Sequence, residues 1–304
     1  MTTRVRLGAF SPSVLLRVAR STGRLDAVGL AVDEVPVPSS PAQFRSLLDG
    51  DLDVALTSPD NAVAYRFSPA NPLGATADVR VVAAVDRGMG LALYAAPGLG
   101  PDDLRGATLA VDVATSGFAF AMYALADSLG LGREDYQLVA LGSTPNRARA
   151  LVDGGCAATM LNAGNDLRAE LGGCTALARV REVCAPYLGT VLAVVGDTRQ
   201  VVAVRLSAAL DATARAVLAG ELDAECADEA ADALGLPAHL AARYVDRLKD
   251  PDEGLVLGAA VDPAALRTVV DLRRRYLPAV VDGRDLLEPA LDPRSGLLVG
   301  PAAG

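Results

Sequence analysis

The sequence predicts an α/β protein of two similarly built lobes that share one cleft, and three observations carry this. The first is a duplicated stretch. PAQFRSLLDGDLDVALTSPDN runs from Pro41 to Asn61, and PNRARALVDGGCAATMLNAGN from Pro145 to Asn165. At a constant offset, Pro41, Arg45, Leu47, Asp49, Gly50 and Asn61 recur as Pro145, Arg149, Leu151, Asp153, Gly154 and Asn165. Each copy predicts an amphipathic helix (Phe44, Leu47 and Leu48; Ala148, Leu151 and Val152) that stops at glycine, then a short buried strand, then a polar turn. The second observation is the strand and helix alternation of the first 70 or so residues, expected to form a parallel sheet with right-handed crossovers. The third is that the same programme restarts beyond the Pro97 and Gly98 turn. Polar turns at the carboxyl ends of strands are where open α/β sheets bind ligands, so two such lobes present two polar rims to one cleft.

The elements follow in order. Val5, Leu7 and Ala9 alternate as a first strand, and SPSVLLRVARSTG gives a helix with Ser11 as N-cap and Pro12 at its first position. LAVDEVPV is a second strand, Pro41 to Gly50 a helix, DVALTS a third strand, and a helix starts near Pro59. Val79 to Val85 and then LALYAA are strands. In the second lobe, Leu109 to Val113 is a strand and Gly117 to Leu129 a helix. TVLAVVG (Thr190 to Gly196) matches LALYAA in length and in following a polar loop, so the two are expected as crossover strands of a hinge. Beyond them the chain is helical: Ser207 to Ala219, Ala224 to Leu234, and a helix capped by Asp262 with Pro263 in its first turn. The expected division is 1–88 with 196–304 as lobe I and 89–195 as lobe II. The tail from Leu286, with Pro289, Pro293, Gly296 and Pro301, lacks periodicity and is expected to be loose.

Composition narrows the function. At 304 residues and 51% hydrophobic, the chain can bury one large core or two modest ones. With 37 acidic against 28 basic residues the net charge is -9, which repels nucleic acid and anionic membrane surfaces. No stretch approaches the roughly 20 apolar residues of a spanning helix, and MTTRVRLGAFSP lacks the pattern of an export leader. The expected location is the cytoplasm as the chain stands, or outside it if a leader has been removed. Cys156, Cys174, Cys184 and Cys226 lack C-x-x-C spacing and His239 is the only histidine, so no metal is expected. GLGPDDLRG fails the dinucleotide pattern, no P-loop occurs and no serine sits in a G-x-S-x-G elbow, so no cofactor and no Ser-His-Asp hydrolase is expected.

DLDVALTSPDNAVAYR, VRVVAAVDRGMGLALYA and DDLRGATLAVDVATSGFAFAMYALADSLGL together resemble a type 2 periplasmic binding protein, in the subfamily of sulfonate, taurine and nitrate binders that also includes thiamine-pyrimidine synthases. The resemblance runs to about Leu277. It implies a Venus-flytrap fold in which each lobe is a mixed, mainly parallel sheet flanked by helices, with a small ligand held between strand ends and helix N-termini. It places Phe10, Ser11, Ser13, Thr57, Ser58, Asp60 and Asn61 on one side of the cleft. Asp86, Arg87 and Met89 stand at the first crossover, and Tyr187 and Thr190 at the return. Asp112, Thr115, Ser116, Phe118, Asn162, Asn165 and Asp166 lie on the far side. The cysteine-rich motif of thiamine-pyrimidine synthases is absent, so that activity does not carry over.

Backbone N–H groups at 11–13, 58–61 and 115–117 are expected to point into the cleft and to suit a carboxylate or sulfonate. For any single Ser, Thr or Asp, capping its own helix is the simpler role, and the functional weight lies in their convergence. Arg87 is the candidate cation for an anionic ligand. Asp60, Asp86, Asp112 and Asp166 complicate this: several of them in one cleft favour a ligand with an amine, or a carboxyl kept protonated for acid–base work. Two functions follow. One is a binding protein that closes on a small polar or anionic molecule, with an ABC permease as partner. The other is a cytoplasmic lyase, a dehydratase or decarboxylase of a small carboxylate, with Asp60 and Asp112 as catalytic candidates.

Overall fold

The computed structural model describes residues 2–300, which form two five-stranded mixed sheets covered by helices. The chain opens with β1 (Thr3–Ala9), α1 (Val14–Ser21), α2 (Arg24–Ala27), β2 (Leu30–Pro36), α3 (Ser40–Leu48), β3 (Val54–Thr57), α4 (Pro59–Phe67) and β4 (Val79–Asp86). It then builds β5 (Ala92–Ala95), β6 (Thr108–Val111), α5 (Gly117–Ser128), β7 (Gln137–Ala140), α6 (Thr144–Val152), β8 (Ala158–Leu161), α7 (Asn165–Leu171), β9 (Thr175–Arg179) and α8 (Val180–Val183). It returns through β10 (Thr190–Val195) to α9 (Gln200–Leu218), α10 (Asp223–Leu234), α11 (Ala238–Lys249) and α12 (Pro263–Tyr276).

The strand orders are β2-β1-β3-β10-β4 and β7-β6-β8-β5-β9, one layout used twice. In each sheet the first three strands are parallel, as short strand–helix–strand units require. The fourth is antiparallel to both neighbours. It is β10 in the first sheet and β5 in the second, and each enters directly after a crossover. Their unbroken apolar runs fit positions flanked by a strand on either side, with Ala92–Ala95 buried throughout. Because β10 pairs with β3 and β4, Thr190–Val195 belongs to the first sheet and not to the second lobe as the 89–195 division expects.

Two further expectations are corrected. Ser13, not Ser11, caps α1, its Oγ accepting from Leu16 N at 3.3 Å. The tail is not loose over the described residues: Val81 N donates to Leu297 O and Val299 N to Val81 O, adding a short rung to β4, with Leu287 and Leu297 fully buried. Apolar anchors at irregular spacing hold it, which periodicity does not register; Pro301 lies outside the described residues.

The helices meet the cleft because sequence stops and starts them there. Ser39, Ser58 and Ser116 cap α3, α4 and α5 by accepting from Ala42, Asp60 and Ala119 N–H. Prolines at the first positions of α3, α4 and α6 need no partner for a missing N–H. Helices running back from the carboxyl ends of the strands therefore begin at the cleft.

Candidate functional site

A cavity of about 130 Å³ lies where the two sheets face one another. Its first wall comes from Phe10, Ser11 and Ser13 beyond β1 and from Thr57, Ser58 and Asn61 beyond β3. Asp86, Met89 and Thr190 form the floor by the crossovers. Opposite stand Asp112, Ser116 and Phe118, with Asn162 beyond β8. All of these were expected at the cleft. Tyr244 and Leu248 of α11 close one side.

Local bonds fix these groups. Ser116 Oγ donates to Asp112 Oδ1 at 2.6 Å and accepts from Ala119 N. Asn61 Nδ2 donates to Thr57 Oγ1 at 3.0 Å, and Asn162 Nδ2 to Gly88 O at 3.0 Å. The first crossover, residues 87–91, turns through three left-handed residues, Gly88, Met89 and Gly90. Ala163, also left-handed at φ 52°, donates its N–H to Met89 O at 2.9 Å. Two non-glycine residues in this conformation store backbone strain beside the cavity, as binding sites often do.

Six expected residues do not line the cavity. Asp60 is held by Arg273 in a buried two-pronged pair, Nε to Oδ1 at 2.6 Å and Nη2 to Oδ2 at 2.7 Å, and is thereby removed as a catalytic candidate. Arg273 also donates to Thr115 O at 2.9 Å, which turns Thr115 away. Asp166 is fully buried against Arg247, whose guanidinium lies against Gly90, where a Cβ would meet it at 2.4 Å. Arg87 Nη1 donates to Leu255 O at 2.6 Å and is not the ligand cation expected. Asn165 Nδ2 donates to Ser11 Oγ at 3.2 Å, tying the two walls together. Tyr187 is buried behind Gly88. Asp60, Thr115, Asp166 and Arg87 are thus captured by partners distant in sequence, from α11, α12 or the segment between them, Asn165 is captured by Ser11, and burial hides Tyr187.

The N–H arrays are also partly used. Ser13 N donates to Glu34 Oε1 at 2.6 Å, Asn61 N to Ser58 O and Ser116 N to Val113 O. Gly117 and Phe118, at the start of α5, line the cavity, and among the described residues their N–H groups have no acceptor.

The residue that sequence reading missed is Arg147. It is 2% exposed and lines the cavity. Nε donates to Gly142 O, Nη1 to Thr159 Oγ1 and Met160 O, and Nη2 to Thr144 Oγ1, at 2.5–3.0 Å. Among the described residues no carboxylate lies within the 4.0 Å of an ion pair, and burial pulls its pKa below the usual guanidinium value. A signal was present: Thr144, Arg147, Ala148 and Leu151 share the stripe i, i+3, i+4, i+7 that α6 buries, and a charge in such a stripe requires a partner. Burial also pushes the Asp86 carboxyl up to about 6, although Gly88 N–H and Thr190 stabilise its charge.

The four cysteines are buried and unpaired. Among the described residues no helix is long and apolar enough to cross a membrane.

Comparison with known proteins gives this architecture its family. The family model described as ABC transporter, phosphonate, periplasmic substrate-binding protein matches residues 25–233. The alkanesulfonate-binding protein SsuA of Xanthomonas axonopodis pv. citri, solved with MOPS bound, superposes with a TM-score of 0.72 at 18% identity, covering 99% of this chain and 100% of its own. The periplasmic nitrate-binding protein NrtA of Synechocystis PCC 6803 gives 0.72 at 12% identity, covering 97% and 87%. A Candida albicans protein with the generic periplasmic binding protein fold gives 0.73 at 15%, covering 98% and 96%. A search of curated proteins finds no match. The chain, two like sheets around a shared cavity, belongs to the family of phosphonate periplasmic substrate-binding proteins of ABC transporters.

Proposed function

We propose that the chain holds a small organic anion, with a phosphonate, sulfonate or carboxylate head, between its lobes and passes it to an ABC permease. As a family member it is a small-molecule binding protein; the anionic head and the residues that grip it are the step added here. The observation that carries it is Arg147, a guanidinium buried at the cavity with no carboxylate paired to it. An unpaired buried charge costs several kcal/mol, and an anion in the cavity offsets that cost. The starts of α1, α4, α5 and α6 reach the same cavity, and their partial positive charges add to the attraction. SsuA and NrtA are named for anions, which supports the same reading. A cavity of about 130 Å³ is close to the ~150 Å³ that takes up benzene, so the ligand is a short-chain acid.

On this reading the lobes, residues 2–86 with 190–300 and residues 92–183, move about the crossovers 87–91 and 184–189. The family is periplasmic, which supports the extracytoplasmic of the two expected locations and not the cytoplasmic one. The test is a melting screen with ethylphosphonate, ethanesulfonate and propionate. A bound acid at one hundred times its Kd adds ~2.7 kcal/mol of stability; no shift with any of the three acids removes the proposal.

A further inference from the structure

Two C-terminal helices, α11 and α12, hold residues 92–183 against the rest of the chain, and the two contacts differ in kind. At one, the end of α12 lies along a single stripe of α5, Phe120, Tyr123 and Asp127, spaced i, i+3 and i+7. Tyr276 stacks on Phe120 at 6.2 Å and meets Tyr123 edge-on at 5.4 Å, and the Arg273 guanidinium lies 4.9 Å from the centre of the Phe120 ring. Tyr276 Oη and Arg275 Nη2 both donate to Asp127 Oδ2, at 2.5 and 2.6 Å. One buried apolar cluster crosses this seam, taking in Tyr65 of α4, Val269 and Val270 of α12, and Phe120 of α5.

The other contact is a ladder of charges. Arginines at i and i+4 of α11 face carboxylates at i and i+4 of α7: Arg247 pairs with Asp166, and Arg243 with Glu170 at 2.9 Å. Beside them one neutral bond, Asn165 Nδ2 to Ser11 Oγ at 3.2 Å, ties α7 to the turn beyond β1. Among the described residues, Leu167 is the one buried side chain that residues 92–183 place in the apolar cluster of α9, α10 and α11. Parting the α12–α5 seam exposes aromatic surface, whereas water replaces the partners of an ion-pair ladder at small net cost. Burial raises the pKa of the Asp166 carboxyl even with Arg247 beside it, so its charge regains hydration when the ladder parts. Tyr244 and Leu248 of α11, and Asn162 and Ala163 ahead of α7, line the cavity, so a gap at the ladder opens it to solvent.

We propose that the lobes open on one flank only: the α12–α5 seam stays shut as a fixed joint, and the ion-pair ladder between α11 and α7 is the flank that parts. This rests on the motion about the crossovers proposed above and places its axis at the α12–α5 seam.

The experiment compares the flanks with two nitroxide-labelled double variants, Arg243→Cys with Glu170→Cys and Arg275→Cys with Asp127→Cys, each shown by circular dichroism to be folded. The arginine side chains are 51% and 61% exposed and their partners 25% and 26%, so each variant loses one comparable surface pair, and the four native cysteines are buried. Electron paramagnetic resonance of the ligand-free protein in frozen solution reads the distance between the two labels. The expected result is one short distance for the α12–α5 labels, and for the α11–α7 labels a second population shifted to longer distance. A second population at both flanks, at the α12–α5 flank alone, or at neither overturns the one-sided opening. That failure leaves the anion reading standing, and a melting screen with no shift for any acid leaves the EPR result untouched.

Discussion

Arg147 stands in the second half of the molecule where Gln43 stands in the first. Gln43 Nε2 donates to Leu56 O of β3 at 3.1 Å, and Arg147 Nη1 donates to Met160 O of β8, at the same repeat offset. Both side chains are buried and both pin a helix to the strand that follows it. Only Arg147 lines the cavity and brings a charge. The two lobes share one anchoring contact, and in the second an arginine converts it into a candidate ligand group.

Arg147→Gln therefore restores the first lobe's chemistry. The Met160 bond is retained in kind and the charge is lost. Affinity for ethylphosphonate is expected to fall by about 2–5 kcal/mol, roughly 30- to 5,000-fold in Kd. The ligand-free protein is expected to melt at or above the wild-type temperature, because an unpaired buried charge has gone. A fall in melting temperature with unchanged affinity would make Arg147 structural only.

Asp60→Asn tests the opposite role. Its carboxylate is the partner of a guanidinium 3% exposed, and removing one member of such a pair costs about 3–5 kcal/mol. The urea midpoint of the ligand-free protein should drop accordingly. Affinity measured below that midpoint should stay within a few-fold, since Asp60 does not line the cavity. Lost affinity without lost stability would return Asp60 to the site.

How much was legible in the sequence follows physical lines. Period-2 and period-3.6 patterns with glycine stops and serine caps are local, so β1 to β4, α3 to α6 and the paired polar turns could be expected from residues alone. Thirteen of the nineteen expected site residues line the cavity, because position after a strand is also local. The failures share one cause. Asp60, Thr115, Asp166 and Arg87 were captured by residues of the C-terminal region, whose approach to the cleft no local pattern encodes. Arg147 was overlooked because the apolar neighbours Ala148 and Leu151 made its helix look like ordinary core.

Gly117→Ala probes the seam between the lobes. A Cβ at this position would lie 2.4 Å from Asp60 Cβ, a distance no packed pair tolerates. The start of α5 must then shift from α4, at a cost of about 1–3 kcal/mol. Because Gly117 and Phe118 line the cavity, acid affinity should fall along with the melting temperature. A wild-type melting curve would show that the seam opens freely in solution.

Asp86 gives the ligand-free protein a distinctive pH response. Burial raises its carboxyl from 3.8 to about 6. Between those values the native state keeps a proton that the unfolded chain has released. Stability from this group is thus full below about pH 4 and lost as pH rises through about 6. Two pKa units correspond to about 3 kcal/mol. Asp86→Asn keeps an acceptor for Gly88 N–H but cannot ionise, so the wild-type stability minus that of the variant should decline from pH 4 to 7 and then level off. Arg87, Thr190, Tyr187 and Tyr244 surround the carboxyl, and burial pushes both tyrosine hydroxyls up, away from this window. A difference that stays constant from pH 4 to 7 without ligand would mean that Asp86 is already ionised and solvated in the open cleft.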